Sequence, residues 1–210
     1  MASGWIALYG PLIANAAGAD VPLDLLLGHV QIESGGRPNS PPTKLDERGL
    51  FQIHPATSRD MGFDHSRMFD AAYAIATGVE MFRRMADSVQ REYGWLFWHG
   101  RDDFFWRFVR FQFAIGSGAV RTIVAAMRTA GVVPASWPAF KSFLTANRAA
   151  LFSATKHDPL KWAGNVDRVF AAGSQIVRTG VVAASGAGIV LLLVGAGVAV
   201  WLWQRNRGAP

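Results

Sequence analysis

The chain has 210 residues, 50% of them hydrophobic and 17% charged, which excludes a disordered chain and suits one domain with an appendage rather than two full domains. It contains no cysteine, so disulfides, thiolate metal sites, iron–sulfur clusters and cysteine nucleophiles are excluded, while the compartment stays open. With 21 Lys and Arg against 15 Asp and Glu, the net charge of +6 favours a polyanionic partner (nucleic acid, anionic lipid or bacterial cell wall) without choosing among them.

In chain order, no Lys or Arg precedes Asp20, and Gly10-Pro11 interrupts the first apolar stretch. The N-terminus therefore lacks the basic start and unbroken apolar run expected of a secretory signal. Asp20 followed by Pro22 marks a helix start, and Leu23, Leu25, Leu26, Leu27 and Val30 carry that helix to about Glu33, where Ser34-Gly35-Gly36 stops it. Residues 34–49 are rich in Gly, Pro, Ser and Asn and form a long loop of the kind that tends to be functional. From Asp70 onward, Ile75, Val79, Phe82, Ala86, Val89 and Tyr93 recur at steps of four and three, which predicts one core-facing helical stripe.

Asp102-Asp103 cap a further helix through Phe104, Phe105, Trp106, Phe108, Phe111 and Phe113. It is apolar nearly all round except at Arg107, Arg110 and Gln112, so it is expected to be the buried central helix and to break at Gly116-Ser117-Gly118. Shorter helices are expected over 119–130, 138–154 and 163–178. Trp98 and Trp106, spaced helically among phenylalanines, read as core rather than as sugar-stacking faces. No βαβ alternation, internal repeat or low-complexity segment is present, so the fold class is all-α.

From Val181 to Trp203 there is no charged residue. As a helix rising about 1.5 Å per residue the stretch would span roughly 34 Å, slightly more than the ~30 Å hydrocarbon core. Trp201 and Trp203 fall where an interfacial belt would lie, and Arg205 and Arg207 follow. The expected organisation is a globular domain over 1–179, a single transmembrane helix over 180–204 and a short basic tail over 205–210. Positive-inside bias puts that tail in the cytoplasm and the globular domain on the other side.

Glu33 ends an apolar helix, so its backbone is held by the core while its carboxyl points toward the following loop. Apolar surroundings and a helix C-terminus both favour the protonated acid. A carboxylic acid of that kind suits glycosidic bond cleavage, although pairing with an arginine such as Arg37 is an equal alternative from spacing alone. His29 and His54 have no metal-ligand partner at suitable spacing, so no metal or other cofactor is expected. The basic residues are scattered, which ranks nucleic acid low among partners.

Glu33-Ser34, followed sixteen positions after the glutamate by Gly49-Leu50-Phe51-Gln52-Ile53-His54-Pro55-Ala56-Thr57, resembles the soluble lytic transglycosylase (SLT) family of the lysozyme superfamily. Weaker likenesses continue at Ala74–Gly78, at Phe113–Gly118 and at Val166–Val169, so the similarity covers about residues 5 to 173. The resemblance implies a lysozyme-like domain acting on peptidoglycan glycan strands. In it Glu33 is the catalytic acid and base, Gln52 binds substrate or orients the cleft, and Ser34 and Thr43 support the loop. His54 and Phe113 complete the implied substrate-binding set. The family's tyrosine and asparagine are replaced here by Phe113 and Ala114. Asp46 and Glu47 are a possible second carboxylate pair, which would make a hydrolysing muramidase, and a weakly catalytic glycan-binding membrane module is a further alternative. Together these features imply a bacteriophage virion protein that opens the wall during genome delivery, with a bacterial secretion or conjugation accessory transglycosylase as the nearer alternative. The implied partners are peptidoglycan, a lipid bilayer (through residues 181–203) and other virion or envelope-channel proteins.

Overall fold

The computed structural model describes residues 4–179, 189–194 and 197–202. The chain divides into two compact units, residues 1–81 with 169–210 and residues 82–168. The first contains α1 (Gly4–Ala17), α2 (Leu23–Glu33), α3 (Pro55–Met61), a 3-10 turn at His65–Arg67 and the start of α4 (Ala71–Tyr93). The second contains the end of α4, α5 (Asp103–Thr129), α6 (Trp137–Ala146), α7 (Arg148–Thr155) and the first turns of α8 (Pro159–Arg178), whose remainder belongs to the first unit.

The core of the first unit joins Ile6 and Ile13 of α1, Leu25, Leu26, Leu27 and Val30 of α2, and Leu50, Phe51 and Val79, all buried. Residues 25–30 of α2 are buried without a break, so this helix is enclosed on all sides rather than along one stripe, and its apolar area drives the association. Asp20 does not cap α2. It sits in a turn with its N–H on the Ala17 carbonyl, and α2 begins behind Pro22 without a side-chain cap. The acidic first-turn residue is Asp24, which accepts the Leu25 N–H at 2.9 Å and the Ser174 hydroxyl at 3.4 Å. The expected start of α4 is observed, since Asp70 Oδ1 accepts the Ala72 and Tyr73 amides.

In the second unit Asp102 caps α5 through the Phe105 N–H at 2.9 Å, as its sequence position implies. The central helix is buried and aromatic. Phe97 packs on Phe104, Phe105 and Phe108 with ring centroids 5.1–5.2 Å apart, and Phe140 packs on Phe104, Phe108 and Phe111 at 5.4–6.0 Å. Edge and tilted contacts dominate, as the ring quadrupoles favour. Arg110 is buried within this helix, with Nη2 donating to Asn165 Oδ1 at 3.1 Å and its guanidinium 4.9 Å from the Phe113 ring.

Three sequence expectations change here. At Gly116 the break is a kink, with φ 81° and ψ 154° at that one residue, and the helix resumes to Thr129. The expected 138–154 helix is two helices, α6 and α7, parted at Asn147. Trp106 is buried, but Trp98 is 71% exposed in the connection before α5, where helical spacing has no meaning.

Tyr93, buried against Phe108, has its phenol pushed up to about 12 by desolvation and then by the neighbouring Glu92 carboxylate. A folded value above the ordinary 10 means that stability is full below pH ~10 and is lost as pH rises toward 12. Tyr93→Phe should therefore flatten the alkaline loss of stability, followed by denaturant unfolding as pH rises from about 10 toward 12.

The expected transmembrane helix over 180–204 is not what the described part of that segment forms. Ile189–Val194 (β1) and Gly197–Leu202 (β2) are strands, paired antiparallel with Ile189 opposite Leu202 and Val194 opposite Gly197. A continuous apolar run has no period that separates helix from strand, and β-branched residues with interspersed glycines lower helix propensity. Residues 180–188, 195–196 and 203–204 of that span, and the 205–210 tail, lie outside the described residues. Among the described residues no helix is long and apolar enough to cross a membrane.

Candidate active site

Glu33 is the last residue of α2 and is half-buried. The helix stops there because Gly35 and Gly36 adopt φ of 60° and 75°, values that L side chains rarely take. At Gly36 a side chain is also excluded sterically, since an added Cβ would lie 2.0 Å from the Trp5 ring. Trp5 in turn donates its indole N–H to Gln31 Oε1 at 3.2 Å, so α1 braces both sides of Glu33. Nothing in the local sequence around Trp5 announced this role.

Ser34 is 3% exposed, and its hydroxyl is shared between the Val30 carbonyl at 3.1 Å and the Leu50 carbonyl at 2.8 Å. The same oxygen accepts the Gly36 N–H at 3.2 Å, while the Ser34 carbonyl accepts from Arg37 Nε and the Ser40 hydroxyl. One turn earlier His29, fully buried, donates from Nε2 to the Phe51 carbonyl at 3.1 Å and stacks on the Phe51 ring. Successive carbonyls of the GLFQI segment are thus held by one side chain of α2 and by the residue that caps its C-terminus, and the two halves of the motif are one construction. Ser34→Ala removes both the donor to Leu50 and the acceptor for Gly36 in a buried setting. It should cost about 2 kcal/mol by denaturant unfolding, in the range for unsatisfied buried partners.

Residues 48–53 form a tight reversal closed by mutual backbone hydrogen bonds between Arg48 and Ile53 at 3.2 and 3.0 Å. Leu50 and Phe51 enter the core, and Gly49 is required because a Cβ there would meet the Met68 carbonyl at 2.1 Å. Gln52 closes the turn at φ 46°, uncommon for a residue with a side chain, and its Nε2 donates to the Gly49 carbonyl at 2.8 Å. A non-glycine residue held in this region marks a position over-determined by its surroundings, a frequent property of functional sites.

His54 caps α3, with Nδ1 accepting the Ala56 N–H at 3.1 Å. Thr43 organises the exposed loop by accepting the Leu45 and Glu47 amides and donating to Glu47 Oε2 at 2.9 Å. Asp46 adopts φ 58° and is gripped bidentately by Arg48 at 2.8 and 3.0 Å. His65 donates to the Asp46 carbonyl at 2.9 Å and meets Ser58 Oγ at 2.9 Å on its other nitrogen, which ties the loop to α3. Both carboxylates considered for holding a water, Asp46 and Glu47, are therefore engaged inside the loop. Ser58, His65 and Asp46 resemble a hydrolytic triad only in name, because Ser58 is buried. Phe113 lies in the second unit, where it stacks on Phe82 at 5.9 Å. Among the described residues no cluster of three His, Asp or Glu side chains could hold a metal ion.

The site is thus a half-buried carboxyl at the end of a core helix, next to a polar loop and a strained glutamine turn. The sequence profile described as the transglycosylase SLT domain matches residues 11–123, more than half of the chain, and includes both halves of this construction. No curated protein matches the chain.

Proposed function

Because the chain belongs to the transglycosylase SLT family, whose members are lytic transglycosylases acting on peptidoglycan, we propose that Glu33 alone performs the acid and base steps of glycan cleavage. The observation that supports this most is the Ser34–Leu50 hydrogen bond, which ties the residue after Glu33 to the turn carrying Gln52. Glu33, as the acid, protonates the glycosidic oxygen between N-acetylmuramic acid and N-acetylglucosamine while the bond from muramic C1 breaks. Its carboxylate then takes the proton of the muramic 6-hydroxyl as that oxygen closes on C1, which forms the 1,6-anhydro ring and restores the acid. No water is consumed, so no second carboxylate is required, unlike the usual two-carboxylate glycosidase. Gln52 gives one amide N–H to the Gly49 carbonyl and, 6% exposed, acts by holding the turn that borders the cleft.

Mass spectrometry of fragments released from purified peptidoglycan by the full chain tests this. Fragments ending in an anhydro sugar, one water lighter than hydrolysed ones, are the expected result. Hydrated ends would mean a muramidase, and no release would leave a glycan-binding module.

Residues 181–203 enter a lipid bilayer in this reading, with the wall-cleaving domain on the non-cytoplasmic side. The support is the uncharged run itself and the arginines after it. Hydrocarbon does not tolerate the open edges of a two-stranded hairpin, so insertion requires the segment to become helical there. Flotation of the chain with vesicles, together with a gain in helical circular dichroism, is expected; sedimentation without lipid would reject the anchor. A wall-cleaving domain beside such a segment suits local opening of the wall for genome delivery by a virion. Detection of the chain in purified particles tests that role.

A further inference from the structure

We infer that the second unit carries a separate anion-binding site for the carboxylate-bearing peptide stems of peptidoglycan. The inference rests on the family's substrate but not on Glu33. A cavity of about 370 Å³ lies between the C-terminal end of α4 and the second half of α5, lined by Glu92, Tyr93, Arg121, Val124, Ala125 and Arg128. Arg121 and Arg128 are seven residues apart on α5, which brings both onto one helical face, and both are exposed. The Arg128 guanidinium lies 4.6 Å from the Trp95 ring centroid, and Trp95 is itself 38% exposed. Stacking on an indole holds the planar cation in place and limits the rotamer entropy lost when it binds a carboxylate.

Glu92 is the only carboxylate of the lining, and it accepts the Ser88 hydroxyl of its own helix at 3.0 Å. Two guanidinium groups against one carboxylate leave the cavity cationic. Its floor, by contrast, is apolar, with Val124 buried and Ala125 beside it. That combination matches a short peptide with small aliphatic side chains and free carboxylates better than a phosphate polymer, which offers charge without methyl groups. Guanidinium forks recognise carboxylates by paired, charge-assisted hydrogen bonds. A second hold on the substrate would keep the chain on an insoluble wall between cleavage events by raising effective concentration.

The test uses the full chain carrying Glu33→Gln, so that binding is read whether or not cleavage follows the proposed route. Binding is measured by co-sedimentation with purified peptidoglycan sacculi and, for the soluble glycan strands that an amidase strips of their stems, by retention on the same strands immobilised on beads. Adding Arg121→Gln and Arg128→Gln should weaken binding to sacculi about tenfold or more, the scale of one or two charge-assisted bonds. Binding to stripped strands should not change. The double variant should melt within about 2 °C of its parent, as expected for exposed substitutions. Arg128→Glu should weaken binding to sacculi further. Undiminished binding to sacculi would overturn the proposal, and so would an equal loss on stripped strands. Competition by teichoic acid or DNA but not by free stem peptide would reassign the site to a phosphate polymer and overturn it as well.

Discussion

Glu33→Gln should lower the release of soluble peptidoglycan fragments by about a thousandfold, within the range that a positioned proton donor and acceptor contributes. Glutamine keeps the length and shape of the side chain and loses the charge and the proton chemistry. Glu33 is half-buried at the helix end, and the unfolding transition of the variant, measured alongside, separates lost chemistry from lost stability. Glu33→Asp is the informative companion. It keeps the acid but withdraws it by one methylene, and a displacement of about 1 Å is enough to cost on the order of a hundredfold. Glu47→Gln should leave the rate of the same order, because the Glu47 carboxylate is held by Thr43 rather than presented to a second substrate face. If Glu47→Gln were instead as damaging as Glu33→Gln, a two-carboxylate hydrolysis would replace the single-carboxylate route. Comparing initial rates of fragment release, with anhydro and hydrated ends counted separately, decides between them.

The parts of the fold that depend on neighbouring residues were legible in the sequence. Asp70 and Asp102 cap their helices where the residue type and the following apolar pattern place them, and α2 ends at Glu33 because glycines follow. The two-part motif was legible as a pattern, but its physical content was not. Only the folded chain shows that His29 and Ser34 hold the consecutive carbonyls of Phe51 and Leu50. Trp5 bracing Gly36, and His65 tying Asp46 to α3, join positions far apart in sequence by side chains with many possible partners. Trp98 was misread because its spacing from Trp106 suggests one helix, whereas a connection intervenes. The apolar C-terminal run carries no period at all, and strand or helix there is set by surroundings rather than by pattern.

Gly28→Ala should cost about 3 kcal/mol or more, although alanine is the better helix former by roughly 1 kcal/mol. The reason is a backbone-to-backbone crossing of α2 with the last turns of α8. An added Cβ at Gly28 would lie 1.9 Å from the Val169 carbonyl oxygen and 2.9 Å from the Gly173 nitrogen. The partner position is equally closed, since a Cβ at Gly173 would lie 1.7 Å from the Asp24 carbonyl oxygen. Main chain cannot turn aside as a flexible side chain can, so one helix must move, and a close-packed interior resists that. A loss of about 3 kcal/mol corresponds to a melting temperature lower by roughly 6 to 12 °C for a chain of this size. The same shift reaches the site, because Gly28 and Glu33 share one short helix and His29 adjoins the substitution. Activity measured well below the melting transition should therefore fall with stability. Gly164→Ala, on the exposed side of α8 where an added Cβ meets nothing within 4 Å, should instead raise the melting temperature by roughly 2 to 4 °C. Equal melting of the Gly28 and Gly164 variants would show that α2 and α8 are not in backbone contact, and the account of how Glu33 is positioned would fail with it.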